Sequence, residues 1–163
     1  MITIISYRDP LTRRLEYGAS QTRHFFIDSK KPILTITSVV VISDIYLGER
    51  IISGSMDRTI GIWSIQDKKL VHRFENAHDD SINSVVVTSD NWYIISGSGD
   101  GTIGIWNTLG GCFHQFENAH SKVITSVAVT NNNKYIVSGS DDKTIGVWII
   151  AEKALFHRFE KAH

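Results

Sequence analysis

Three stretches decide the fold: IISGSMDRTIGIW (51–63), IISGSGDGTIGIW (94–106) and IVSGSDDKTIGVW (136–148). Each ends on a tryptophan, and the tryptophans are spaced by 43 and 42 residues. A second landmark repeats with them: HRFENAH (72–78), HQFENAH (114–120) and HRFEKAH (157–163). Its closing histidines are spaced by 42 and 43 residues. Two independent landmarks at one period mark an internal repeat, the first thing to settle in any chain.

The pattern inside each unit is strand and turn. Ile82–Val87 and Ile124–Val129 are β-branched runs, Tyr93–Ser98 and Tyr135–Ser140 a second pair. Thr102–Trp106 and Thr144–Trp148 form a third, Cys112–Phe116 and Leu155–Phe159 a fourth. Gly, Asn and Asp breaks separate them, which predicts antiparallel hairpins. No stretch shows the 3.6 period of an amphipathic helix. Four short strands, a to d, per ~40–45 residues is the signature of a propeller blade. The expected fold is therefore all-β, with four-stranded antiparallel blades in an incomplete or open propeller of about three to four blades. The units divide the chain at 33–78, 79–120 and 121–163. Residues 1–32 are then a degenerate partial blade, with 2–31 as its strands b, c and d, or an N-terminal extension.

These residues resemble the WD40 repeat family over about 33–163. The resemblance implies a hydrogen-bonded tetrad in each unit: His at the d–a loop, Ser on strand b, Asp in the b–c turn and Trp on strand c. Two sets are complete: His78, Ser96, Asp100 and Trp106, then His120, Ser138, Asp142 and Trp148. The first unit keeps Ser53, Asp57 and Trp63 but has Pro32 at its histidine position. A series running Trp, Ser, His, Asp would satisfy buried donors that need partners. The Asp that usually follows the Trp is replaced by Ser64, Asn107 and Ile149. Glycines recur mid-strand at 61, 104 and 146, expected to mark tight packing between blades. The first a–b loop, 45–50, is three residues longer than its counterparts.

Composition bounds the function. The 163 residues carry 17 basic and 17 acidic side chains, so net charge gives no pointer to nucleic acid. The basic excess in the first 33 residues reads as a solvated face. Cys112 stands alone, which excludes an internal disulfide and suits a reducing, cytoplasmic setting, with the nucleus also open. It is expected to be a packed thiol, not a nucleophile. No apolar run approaches the ~20 residues of a membrane helix. Six of seven histidines fall in two periodic series, 72, 114, 157 and 78, 120, 163, which diverge on successive blades. A metal needs converging ligands, so no metal, cofactor or catalytic residue is expected. Trp92, in an a–b turn, is expected to be partly packed.

What remains is binding. The resemblance implies a partner face on the d–a and b–c loops, at three and five residues past the His and at the residue before the Asp. Those positions are Ser81, Asn83 and Gly99, then Val123, Thr125 and Asp141, with Met56 in the first unit. The expected function is a non-catalytic scaffold that binds other proteins or peptides, from a larger propeller closed by further blades or by a second copy. The alternative is a segment of a multidomain enzyme or regulatory protein whose catalytic domain lies elsewhere.

Overall fold

In the computed structural model, residues 35–45 and 48–162 are described; residues 1–32, read as a partial blade or extension, and His163 lie outside them. The described residues form twelve strands and no helix. Three separate four-stranded antiparallel sheets follow in chain order. The first blade is β1 (Ile36–Asp44), β2 (Gly48–Ser55), β3 (Ile60–Ser64) and β4 (Lys69–Phe74). The second is β5 (Ile82–Val87), β6 (Tyr93–Ser98), β7 (Ile103–Asn107) and β8 (Gly111–Phe116). The third is β9 (Ile124–Val129), β10 (Tyr135–Ser140), β11 (Ile145–Ile149) and β12 (Ala154–Phe159).

The first a–b connection departs from expectation. Gly48, Glu49 and Arg50 are not loop: they extend β2 and pair with Asp44, Ser43 and Ile42. The extra residues lengthen a hairpin, because ladder hydrogen bonds satisfy backbone groups that a longer loop would leave to water.

The blades stack so that β5 packs on β1 and β2, and β9 on β5 and β6. Each blade has a front face toward its predecessor and a rear face toward its successor. A strand covered on both faces reads as a continuous apolar run, because alternate side chains point to opposite sides. That is the origin of Ile94-Ile95: Ile94 belongs to the core between blades one and two, Ile95 to the core between two and three. The first core joins Ile52, Ile60, Ile62 and Phe74 of the first blade to Ile82, Val85, Ile94 and Trp106 of the second. The second repeats it with Ile95, Ile103, Ile105 and Phe116 against Ile124, Val127, Ile136 and Trp148. The hydrophobic core therefore lies between blades.

The Ser-Gly-Ser glycines follow from this stacking. A Cβ on Gly54 would stand 2.7 Å from Ile82 Cγ2, and one on Gly97 would stand 2.7 Å from Ile124 Cγ2. On Gly139 it would meet only Thr125 Oγ1, at 4.0 Å, because no described blade follows the third. Gly97→Ala is therefore expected to cost about 1–3 kcal/mol by overpacking. Gly139→Ala, in dilute solution, should change stability by no more than ~0.5 kcal/mol, as for a surface site. Denaturant melts of the two variants check the contrast.

Candidate functional site

Each blade brings a Trp, a Ser and an Asp together at the loop end of strands b and c. In the second blade Trp106 Nε1–H donates to Ser96 Oγ at 2.8 Å, and His78 Nε2 lies 2.7 Å from the same hydroxyl. His78 Nδ1 lies 2.7 Å from Thr102 Oγ1 but 3.5 Å from the Asp100 carboxylate. Thr102 in turn donates to Asp100 Oδ1 at 2.7 Å. The series runs Trp, Ser, His, Thr, Asp, with a threonine that the sequence reading did not include. Each donor finds an acceptor only if the imidazole is neutral with its proton on Nδ1.

The third blade repeats the arrangement with a small change. Trp148 donates to Ser138 Oγ at 2.9 Å, and His120 Nε2 lies 2.7 Å from it. His120 Nδ1 is shared between Asp142 at 3.0 Å and Thr144 at 2.9 Å. Asp142 also accepts from the Ser121 amide at 3.0 Å, and Asp100 from the Asp79 amide at 2.8 Å. These bonds tie each b–c turn to the d–a loop that leads into its blade.

In the first blade Trp63 donates to Ser53 at 2.9 Å, and Thr59 to Asp57 at 2.6 Å. Arg73 of β4 takes up the other Asp57 oxygen at 2.6 Å. The guanidinium supplies a charged donor to that carboxylate, which Arg158 approaches only to 4.0 Å at Asp142 in the third blade. A cavity of about 110 Å³ opens between Ser53, Asp57, Thr59, Trp63 and Arg73.

The mid-strand glycines serve these bonds rather than packing between blades. Gly61, Gly104 and Gly146 pair directly with Ser53, Ser96 and Ser138 across strands c and b. The tryptophan two residues on lies on the same side of the sheet and folds back over the glycine. A Cβ there would stand 2.5–2.6 Å from the indole Nε1 in all three blades. The side chain is absent so that the indole can reach the serine.

The rim positions lie beside one another in each blade. The residue before the Asp donates its amide to the residue three past the histidine position: Gly99 to Ser81 at 2.8 Å, and Asp141 to Val123 at 3.0 Å. Met56 likewise donates to Thr35 at 3.0 Å. Met56, Thr125 and Asp141 are exposed, and Ser81, Gly99 and Val123 half-buried. Asn83 differs in role: its amide donates to Ile124 O at 3.0 Å and bridges two blades. Thr37 makes the corresponding bond to Ile82 O.

Other residues are placed plainly. Cys112 is exposed on β8, not packed, because strand d is the outer edge of the blade. Burial of its thiol still raises its pKa, which disfavours the thiolate. Trp92 is exposed, at the loop end opposite the rim. His72, His114 and His157 each meet the phenylalanine two residues on, edge to face, at 4.5–4.6 Å. Among the described residues no three His, Cys, Asp or Glu side chains converge as metal ligands, and no helix is long and apolar enough to cross a membrane.

Burial pushes the imidazoles of His78 and His120 below the ordinary histidine value, and the nearby Asp100 and Asp142 carboxylates offset this only in part. Burial would raise Asp57, Asp100 and Asp142. Hydrogen bonds from the threonine two residues on outweigh it and hold all three carboxyls low. An unfolded histidine binds its proton below about pH 6.5, whereas the folded one resists it, so stability falls as pH drops through that window. Below about pH 4 the carboxylates extend the loss, since unfolded Asp protonates before folded Asp. Thermal midpoints should decline from pH 7 to pH 5, and His78→Gln with His120→Gln should flatten that slope. Gly104→Ala should displace the indole at a cost of about 1–3 kcal/mol, read as a shifted tryptophan emission and a lower melting midpoint.

Comparison with known families and structures agrees with the geometry. The profile of the WD domain, G-beta repeat, matches residues 31–64, 68–107 and 110–148. The crystal structure of the RRP9 WD40 repeats superposes with a TM-score of 0.72 at 24% identity, over 80% of this chain and 40% of that one. The structure of U3-55K gives 0.72 and 24%, over 80% and 41%. The chain thus spans about two fifths of the length of these solved neighbours. No curated protein matches. Three repeated Trp–Ser–Asp frames on three four-stranded blades, matched by the family profile over most of the chain, make this a member of the WD40 repeat family.

Proposed function

We propose that the described blades are a non-catalytic scaffold that binds a protein loop or peptide across the rim of d–a and b–c loops. One observation carries the reading. The same backbone bond holds the rim pair in every blade, Met56 to Thr35, Gly99 to Ser81 and Asp141 to Val123, while the side chains it presents differ from blade to blade. A rigid frame under variable side chains is how repeat scaffolds build selective surfaces. Asp80, whose carboxylate would crowd any side chain at Gly99, adds an exposed negative charge beside Ser81.

The rim suits a polypeptide better than a nucleic acid. Its d–a and b–c loops carry exposed Asp79, Asp80 and Asp141 as well as exposed Arg58, Lys122 and Lys143, a mixed rather than a basic set. Met56 supplies an exposed apolar contact at one end. Mixed charges beside one flexible apolar side chain fit an extended peptide. The cytoplasmic placement rests on the single cysteine alone.

The test is selection of binders from a random peptide display library on the 163-residue chain, followed by affinity measurement on Ser81→Arg/Asp141→Arg. These positions leave the tetrads and the Asn83 bridge intact. Affinity should fall at least about tenfold, 1.4 kcal/mol, with an unchanged melting midpoint. Equal affinity of the variant for every selected peptide would remove the rim as the binding surface.

A further inference from the structure

One register position of strand d holds an arginine in the first and third blades and a glutamine in the second. Arg73 on β4, Gln115 on β8 and Arg158 on β12 each pair with the strand-c glycine, at Gly61, Gly104 and Gly146. Both arginines reach the loop end of their blade. Arg73 Nη2 donates to Asp57 Oδ2 at 2.6 Å, while its Nε lies 3.2 Å from Glu75 Oε1. Arg158 Nη2 donates to the Ala119 carbonyl of the d–a loop at 2.7 Å, and its Nη1 lies 4.0 Å from Asp142 Oδ2. Its guanidinium carbon stands 5.9 Å from the Trp148 ring. In both blades the guanidinium lies toward the b–c carboxylate and takes a further partner from the strand end or the d–a loop.

The second blade keeps the partners and lacks the arginine. The Gln115 amide donates to Thr102 Oγ1 at 3.1 Å. Beside it opens a cavity of about 400 Å³ between the d–a loop and the b–c turn. The groups that engage the two arginines recur on its wall. Asp100 is the counterpart of Asp57 and Asp142, Glu117 of Glu75, and Ala77 of Ala119. Asp79 adds a third carboxylate, and among the described residues no Arg or Lys lines the cavity. Burial keeps His78 neutral, so the imidazole brings no compensating charge. The cavity opens beside the rim: Asp100 follows Gly99, and Asp79 lies two residues before Ser81.

We propose that this cavity takes the arginine side chain of a peptide bound along the rim, in the place that strand d of the second blade leaves open. The assignment rests on the rim as the peptide surface and names what that surface selects. The incoming guanidinium meets Asp100 and Glu117 as Arg73 meets Asp57 and Glu75, and reaches the Ala77 carbonyl as Arg158 reaches Ala119. Arginine is selected over lysine because Arg73 uses two different nitrogens for its two carboxylates. A planar fork of donors addresses both at once, whereas an ammonium is a single point charge.

Two-dimensional amide NMR of the 163-residue chain, titrated with N-acetyl-arginine amide, tests this. The Gln115 side-chain amide and the Trp106 indole N–H should shift and saturate, with an affinity on the order of millimolar. The lysine and citrulline amides should bind at least about tenfold more weakly. Gln115→Arg fills the cavity from within, as in the other two blades, and should abolish the Trp106 shift without lowering the melting midpoint. Glu117→Gln, at an exposed position, repeats the test without touching the strand ladder and should weaken binding several-fold. Absent or unsaturable shifts, an equal response to the lysine amide, or undiminished binding by either variant overturns the assignment. The rim reading fails separately, on peptides selected with the unaltered chain. Peptides that bind Gln115→Arg undiminished but lose affinity for Ser81→Arg/Asp141→Arg keep the rim and remove the arginine cavity, and peptides indifferent to both variants remove both.

Discussion

The indole of the strand-c tryptophan takes part in two arrangements at once, the hydrogen-bonded series of its own blade and the apolar stacking on the blade before it. Its N–H enters the hydrogen-bonded series inside the blade, at Ser96 or Ser138, 2.8–2.9 Å away. Its ring meets the strand-d phenylalanine of the preceding blade, at 5.0–5.2 Å. A buried indole needs both: its large apolar area is favourable to bury, but its N–H must find an acceptor. The serine meets that need only because a glycine lies between them, with no Cβ to hold the ring away. Blade interior and blade-to-blade stacking thus depend on one side chain and one missing side chain.

The series beyond the serine has a polarity that constrains its chemistry. Reading from the tryptophan, every link donates forward, so the imidazole must be neutral at Nε2 to accept the serine proton. Burial favours that neutral form, and the Asp at the far end takes its share of donors from a threonine and from d–a loop amides. In the second blade Thr102 stands between the imidazole and Asp100, which is 3.5 Å away, whereas in the third Asp142 also reaches His120 Nδ1 directly at 3.0 Å and offsets part of the burial effect. In the first blade the same carboxylate is met by Arg73, a fixed charge instead of a relay, and Trp63 there is left partly exposed.

Much of this was legible in the chain, for physical reasons that also explain what was not. Strands such as Ile82–Val87, Tyr93–Ser98 and Ile124–Val129 coincide with their sequence bounds because turn residues end them on both sides. The hairpin at 48–50 was misread as loop because pairing beyond a polar stretch leaves no mark in the hydrophobic pattern. The mid-strand glycines were visible, but their partner was two residues away in the same strand rather than in the next blade. Thr59, Thr102 and Thr144 carried a usable signal: a hydroxyl recurring two residues past each Asp, at the start of an apolar strand. Arg73 carried none, since Arg158 holds the same register in a blade that keeps its histidine; there it donates to Ala119 O at 2.7 Å. Cys112 was taken as packed although strand d, the last of four, has an open edge.

Asn83 shows why rim positions cannot be read as a surface by spacing alone. It sits five residues past the histidine, at a register shift in the β5–β6 ladder between Ile82 and Ser84. Such a bulge re-aims its side chain. Here the amide turns toward the next blade and satisfies the Ile124 carbonyl, so the residue is part of the stacking frame. Thr125 occupies the same bulge in the third blade, and its hydroxyl donates to Gly139 O at 3.3 Å within its own sheet, as Thr37 donates to Gly54 O at 3.0 Å in the first. At this register Thr37 and Asn83 both reach the following blade, and the threonines at 37 and 125 also bond their own sheet. Of the rim positions, those held by the short backbone bond keep exposed side chains at Met56 and Asp141 and half-buried ones at Ser81 and Val123, with half-buried Gly99 beside them. The bulge position belongs first to blade stacking, and only a blade at the end of an arc can lend it to anything else.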